Sequence, residues 1–148
     1  MNELVRDWMT ATVITVAPTT TIDEADDLMQ SRGIRRLAVI EDNLLAGIVS
    51  QGDIRAAKAT ASADLGDFRH TPTVGAIMTP NPITIPESAS VALAAKTMLQ
   101  LKLSGLPVVN QAGEMRGILS ESDLFRFIVE LAKGQEHRNA ASTVSRVA

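Results

Sequence analysis

Two stretches of this chain carry the same order of apolar and polar positions. In the first, Val13 to Val16 is β-branched and ends near Pro18, which predicts a short strand. Thr21-Ile22-Asp23-Glu24 sets a hydroxyl at a helix N-cap and an acid three residues on, the pattern of a capping box. Ile22, Ala25 and Met29 then fall on one helical face, with Asp23 and Asp27 away from it, until Gly33. Leu37 to Ile40 reads as a strand, Glu41 to Asn43 as a turn and Leu45 to Val49 as a second strand. Ser50 opens a helix running to about Thr60. The order is strand, helix, strand, strand, helix.

The second stretch repeats it. Ile83 to Ile85 predicts a strand, and Ser90 to Gln100 an Ala-rich helix with Val91, Ala94, Ala95 and Met98 inward. Leu106 to Val109, a turn over Asn110 to Glu114, and Met115 to Leu119 make a hairpin. Ser120 starts a helix with Leu124, Phe125, Ile128 and Val129 on its apolar side. At an offset of 69, Val5, Met9, Thr10, Ile14, Met29 and Val39 meet Val74, Met78, Thr79, Ile83, Met98 and Val108. One extra residue in the second turn makes the offset 70, and Gly47, Ile48, Ser50 and Asp53 meet Gly117, Ile118, Ser120 and Asp123. A tandem repeat predicts two similar units packed about a pseudo-twofold, with sites in the seam. The division is 1–61 for repeat 1, 62–73 for a connector and 74–132 for repeat 2. The tail from 133 to 148 lacks a sustained apolar face and is expected to be mobile.

Composition narrows the chemistry. The 148 residues are 45% hydrophobic but only 3% aromatic, so the core must be aliphatic. No run approaches the roughly 18 apolar residues of a membrane span. There is no Cys, which removes disulfides and thiolate chemistry. The start, MNELVRDW, is charged rather than apolar, so a cytoplasmic protein is expected. A net charge of -3 and few aromatics argue against a broad nucleic-acid surface. His70 and His137 have no spacing that suggests a metal pair or a nucleophile–base couple, and no Gly-rich phosphate loop is present.

The pattern Ser-x-x-Asp occurs twice at a strand-to-helix junction, as Ser50/Asp53 and Ser120/Asp123. One reading is a helix cap, with the hydroxyl accepting a backbone N–H and the acid facing the positive helix end. The other adds a ligand: a carboxylate with two acceptor oxygens can hold both hydroxyls of a ribose, and the helix start beside it suits a phosphate.

With VRDWMT and VGAIMTP, LAVI and LPVV, and GIVSQGDI and GILSESDL in order, the chain resembles a pair of cystathionine-β-synthase (CBS) domains, a Bateman module, over about residues 5 to 130. The resemblance implies an α/β (α+β) fold of two β-α-β-β-α units and two clefts related by the pseudo-twofold. It also implies an adenine nucleotide or adenosyl compound (AMP, ADP, ATP, NAD or S-adenosylmethionine) as regulatory ligand, no catalytic cofactor, and a homodimer of modules. Two departures stand out: Ala38 where Pro107 holds the usual proline, and Ser104-Gly105 where repeat 1 has Arg35-Arg36.

Carried over residue by residue, the resemblance implies one cleft of Ile48, Ser50 and Asp53 with Thr79, Ile83, Leu103, Ser104 and Pro107. The other joins Ile118, Ser120 and Asp123 to Thr10, Ile14, Ile34, Arg35 and Arg36. Arg35 and Arg36 can pair with phosphate oxygens, so the second cleft is expected to take the phosphates. The alternative is that Arg32, Arg35 and Arg36 are a solvated strand entrance. Adenine would lie on aliphatic walls, Ile14 and Ile34 or Ile83 and Leu103, which also read as ordinary core. Trp8, aligned with Ile77, reads as a buried anchor; with Phe125 and Phe127 it is alternatively an interface residue. The expected role is a regulatory module acting on a separate, unknown protein, not an enzyme. The rival is a ligand-free dimerisation module, with nucleic-acid binding a more distant third.

Overall fold

A computed structural model describes residues 3–11, 14–63 and 71–147. The first half contains α1 (Val5–Trp8), β1 (Thr15–Val16), α2 (Ile22–Arg32), β2 (Arg36–Glu41), β3 (Leu44–Ser50) and α3 (Gln51–Ala63). The second contains α4 (Val74–Ile77), β4 (Thr79–Pro80), β5 (Ile85–Pro86), α5 (Val91–Leu101), β6 (Gly105–Val109), β7 (Met115–Ser120) and α6 (Glu121–Val147). Each half holds the β-α-β-β-α order, preceded by a short helix and, in the second half, by the extra two-residue strand β4. Val13, the expected first strand residue, and residues 64–70 of the connector lie outside the described residues.

Local chemistry explains the boundaries. Thr21 Oγ1 accepts the Glu24 backbone N–H at 3.1 Å and Glu24 Oε2 accepts the Thr21 N–H at 3.1 Å, closing the capping box. Gly33 ends α2 in the left-handed region at φ 64. At the equivalent end of α5 stands Lys102, which adopts φ 55 although it is not glycine.

Two mixed sheets form, β1-β2-β3-β4 and β5-β6-β7. Strand β4 belongs to the second repeat but pairs with β3 of the first, Gly47 with Pro80 and Ile48 with Thr79. The mirror contact is the bridge of Thr10 to Ile118. The exchange extends to the cores. Val74 packs with Ala25, Met29, Leu37, Val39, Val49 and Ile54 of repeat 1. Val5 packs with Ile85, Ala94, Met98, Leu106, Val108 and Leu119 of repeat 2. Each short leading helix thus fills the other repeat's core, and the sequence division at 61 does not coincide with the packing.

The pseudo-twofold can be followed bond by bond. Val5 N donates to Ala89 O at 2.8 Å and its counterpart Val74 N to Thr20 O at 2.7 Å. Arg6 N donates to Glu87 O at 3.0 Å and Gly75 N to Pro18 O at 2.9 Å. The bridges Leu4–Ser90 and Thr21–Thr73 are another such pair, and Leu44–Glu114 joins two equivalent residues directly.

Two segments differ in form from the expected elements. The stretch from 133 continues α6 as helix, which runs to Val147. No proline interrupts it, and its Ala, Lys, Gln, Glu and Arg residues are good helix formers. The expected strand at Ile83 begins only at Ile85; Ile83 is 50% exposed, whereas Ile14 packs against the first core. Among the described residues no helix is long and apolar enough to cross a membrane.

Candidate functional site

The seam between the repeats brings together much of what the sequence singled out. Thr10 and Ile118 exchange both backbone hydrogen bonds, at 2.9 and 3.1 Å. That places the Thr10 hydroxyl 3.5 Å from Asp123 Oδ1, to which it donates. On the other side, the pairing of Ile48 with Thr79 sets Thr79 next to the strand that leads into Ser50 and Asp53.

These approaches depend on glycine. A Cβ on Gly117 would lie 2.5 Å from Thr10 O and 3.0 Å from Met9 Sδ. A Cβ on Gly47 would lie 2.5 Å from Met78 Sδ and 2.8 Å from Thr79 O. The two glycines are the room through which each leading segment reaches the opposite sheet.

Both Ser-x-x-Asp sequences form caps, and they form them differently. Ser50 N donates to Asp53 Oδ2 at 2.8 Å, while Asp53 N donates to Ser50 Oγ at 3.1 Å. Asp53 is half-buried, and Oδ1 accepts no hydrogen bond from any described residue. Ser120 N and Ser120 Oγ instead both donate to Asp123 Oδ2, at 2.8 and 3.0 Å. Arg126 Nη2 donates to Asp123 Oδ1, and Asp123 is only 1% exposed. A buried carboxylate is stable only when paired and hydrogen-bonded, and Arg126 completes that set.

Other site residues fall as follows. Ile34 packs against the first core and Leu103 against the second. Pro107 is buried on β6, opposite Ile118. The Arg35 carbonyl accepts Gln51 N at 2.8 Å, and the Ser104 carbonyl accepts Glu121 N at 3.1 Å, another symmetric pair. Arg36 Nη1 donates to Ser104 Oγ, so this guanidinium reaches a residue expected in the other cleft. Asp26 of α2 is bonded to Lys58 at 2.6 Å. Trp8 packs on the second core and meets Phe127 edge-on, with centroids 5.2 Å apart at 85°. Arg126 is the residue that sequence reasoning missed. Its signal was available: a basic residue three positions after an acid in a helix's first turn, with Ala56 at the matching position of repeat 1.

A seam crossed twice by exchanged segments, each beside a serine–aspartate helix start, defines a tandem two-repeat module. The CBS domain profile matches residues 5–60 and 74–130, and the chain belongs to the CBS domain family. It is 31% identical over 137 residues to a CBS domain-containing protein of Dictyostelium discoideum, covering 88% of this chain and 94% of that one. The crystal structure of CBSX2 in complex with AMP superposes with a TM-score of 0.77 at 31% identity, covering 88% of this chain and 99% of the crystallised one. This chain spans 61% of the full length of CBSX2, a chloroplastic protein of Arabidopsis thaliana. The CBS domain pair of protein MJ0100, in complex with 5'-methylthioadenosine and S-adenosyl-L-methionine, superposes with a TM-score of 0.70 at 30% identity, over 86% of this chain and 96% of that one.

Proposed function

We propose that this chain is a regulatory module that binds an adenine-containing small molecule in the seam between its repeats and passes that state to a separate protein. The observation that carries the reading is the crossing of Thr10 and Thr79 into the opposite repeat, beside Asp123 and Ser50–Asp53. A ligand held there touches both repeats and can favour one relative arrangement over another, which is the requirement for switching. The relatives with AMP, methylthioadenosine and S-adenosylmethionine support an adenosyl ligand class. Ribose hydroxyls would go to a seam aspartate and adenine to aliphatic walls such as Ile14, Ile34 and Leu103. Isothermal titration with AMP, ADP, ATP, NAD and S-adenosylmethionine tests the reading. Absence of binding by all five, with no adenine compound released on denaturing the purified protein, would sink it.

The protein is further proposed to act as a homodimer through repeat 2. A groove of about 740 Å³ lies between α5 and α6, lined by Leu99, Leu103, Phe125, Phe127 and Ile128 among others. Leu99 is 80% exposed and Phe125 62%. The matching face of repeat 1 is polar, with Lys58 tying α3 to Asp23 and Asp26 of α2. A second copy would cover the apolar face by the same patch on both partners.

The reciprocal cap at Ser50–Asp53 and the bonds of Ser120 to Asp123 favour one other reading, a dimerisation module without a ligand. The same titrations separate the two.

A further inference from the structure

A carboxylate offers about four lone-pair positions. At Asp123 three donors are bonded, Ser120 N and Ser120 Oγ on Oδ2 and Arg126 Nη2 on Oδ1, and Thr10 Oγ1 approaches Oδ1 at 3.5 Å. A ribose diol would bring two more O–H donors and find at most one position left for them. It would also have to displace the Arg126 guanidinium, which pairs with a buried carboxylate although its own side chain is 65% exposed. At Asp53 the situation is reversed. Ser50 N occupies one position on Oδ2, and Ser50 Oγ is turned toward the Asp53 N–H rather than toward its carboxylate. Oδ1 accepts nothing from any described residue, and the position matching Arg126 is Ala56, whose side chain has no donor.

We infer that Arg126 reserves Asp123 for the fold, so that the ribose of an adenine ligand is taken by the Asp53 side of the seam alone. This rests on the adenine-binding reading above and assigns the two halves of the seam unequal tasks. It also reverses the expectation drawn from Arg35 and Arg36, which placed the stronger nucleotide contacts beside Asp123. Arg36 is already engaged with Ser104, on the side of the seam assigned to Asp53, so a phosphate contact from it would be made there.

The probe is AMP, titrated calorimetrically into the full chain. The parent should bind one AMP per chain. Asp53→Asn, which keeps an acceptor for the cap but loses the charge, should weaken that event at least tenfold. Arg126→Ala should bind two AMP per chain, because the Asp123 carboxylate is then open to a diol. The double variant Asp53→Asn/Arg126→Ala should recover one AMP per chain, a gain of binding that misfolding cannot produce. Melting temperatures without AMP establish that each variant is folded. A parent that binds two AMP overturns the inference, as does an Asp53→Asn variant that binds like the parent. So does an Arg126→Ala variant that still binds one. In each of those cases adenine binding itself stands. A parent that binds no adenosine compound overturns instead the functional reading on which the inference rests.

Discussion

Thr10 and Ile118 come from opposite repeats, yet each backbone N–H donates to the other's carbonyl, at 2.9 and 3.1 Å. Only the lack of a side chain at Gly117 allows it, since a Cβ there would sit 2.5 Å from Thr10 O. Gly117→Ala should therefore force the crossing segment away and destabilise the protein by about 1–3 kcal/mol, the usual cost of overpacking. Gly47→Ala should cost a similar amount, because Met78 Sδ and Thr79 O crowd it in the same way. Urea denaturation measures both. Alanine variants as stable as the parent would show that the crossings are not held this tightly.

Lys102 occupies the left-handed region at φ 55, where Gly33 stands in the first repeat. That conformation costs a side-chain-bearing residue roughly 1–2 kcal/mol, while glycine costs about 0.4–1 kcal/mol through the unfolded chain. Lys102→Gly should leave stability unchanged or raise it by up to about 1 kcal/mol. A clear fall in melting temperature would contradict this.

Lys58 lies 2.6 Å from Asp26 Oδ2 and 3.4 Å from Asp23 Oδ1. The hydrogen bond from Lys58 is the main cause holding the Asp26 carboxyl below its ordinary value, and the same bond holds Lys58 above its own. Stability from the lowered acid is present above the ordinary carboxylate value of about 3.9 and fades as pH falls through its folded value. Stability from the raised lysine is present below about 10.4 and fades as pH rises through its folded value. The window of full effect thus lies between these limits. Because Lys58 is 41% exposed, Lys58→Met should cost under about 1 kcal/mol at neutral pH. The gap to the parent should close in strong acid, and a gap that persists there would assign the loss to packing instead.

Phe125 and Ile128 are 62% and 55% exposed on the groove beside α5. If a second copy covers them, the parent should run as a two-chain species by light scattering at micromolar concentration. Phe125→Glu combined with Ile128→Glu should run as one chain with an unchanged far-ultraviolet circular dichroism spectrum. A one-chain parent would leave repeat 2 without the proposed partner.

Trp8 and Phe127 join α1 to α6, four residues beyond Asp123. As the single tryptophan, Trp8 should report events on the Asp123 side of the seam. AMP should therefore change the emission of Arg126→Ala more than that of the parent. Equal changes in the two would argue against separate sides.

The strand and helix order could be read from short-range signals. The Thr21/Glu24 box, the Gly33 stop and the hairpin turns each act within a few residues, and each appears where their chemistry requires it. The contact partners of Val5 and Val74 could not be read in the same way. Both lie in four-residue helices, and nothing local says which core receives them. The repeat located the serine–aspartate pairs, but likeness of sequence concealed their difference. Ser120 Oγ donates to its aspartate carboxylate whereas Ser50 Oγ accepts the Asp53 N–H, and the shared motif does not distinguish the two. The continuation of α6 carries no signal of that kind, because residues 133–147 lack a sustained apolar face.

The exchange of leading helices also sets an order of assembly during synthesis. The first repeat leaves the ribosome with the slot for Val74 empty and the edge of β3 unpaired, since Thr79 and Pro80 have not yet been made. Val5, already outside, has no core to enter until Ala94, Met98 and Leu119 follow. Contacts so distant along the chain close late. The nascent first half must therefore wait, with an apolar socket and a bare strand edge, for the second half to complete both.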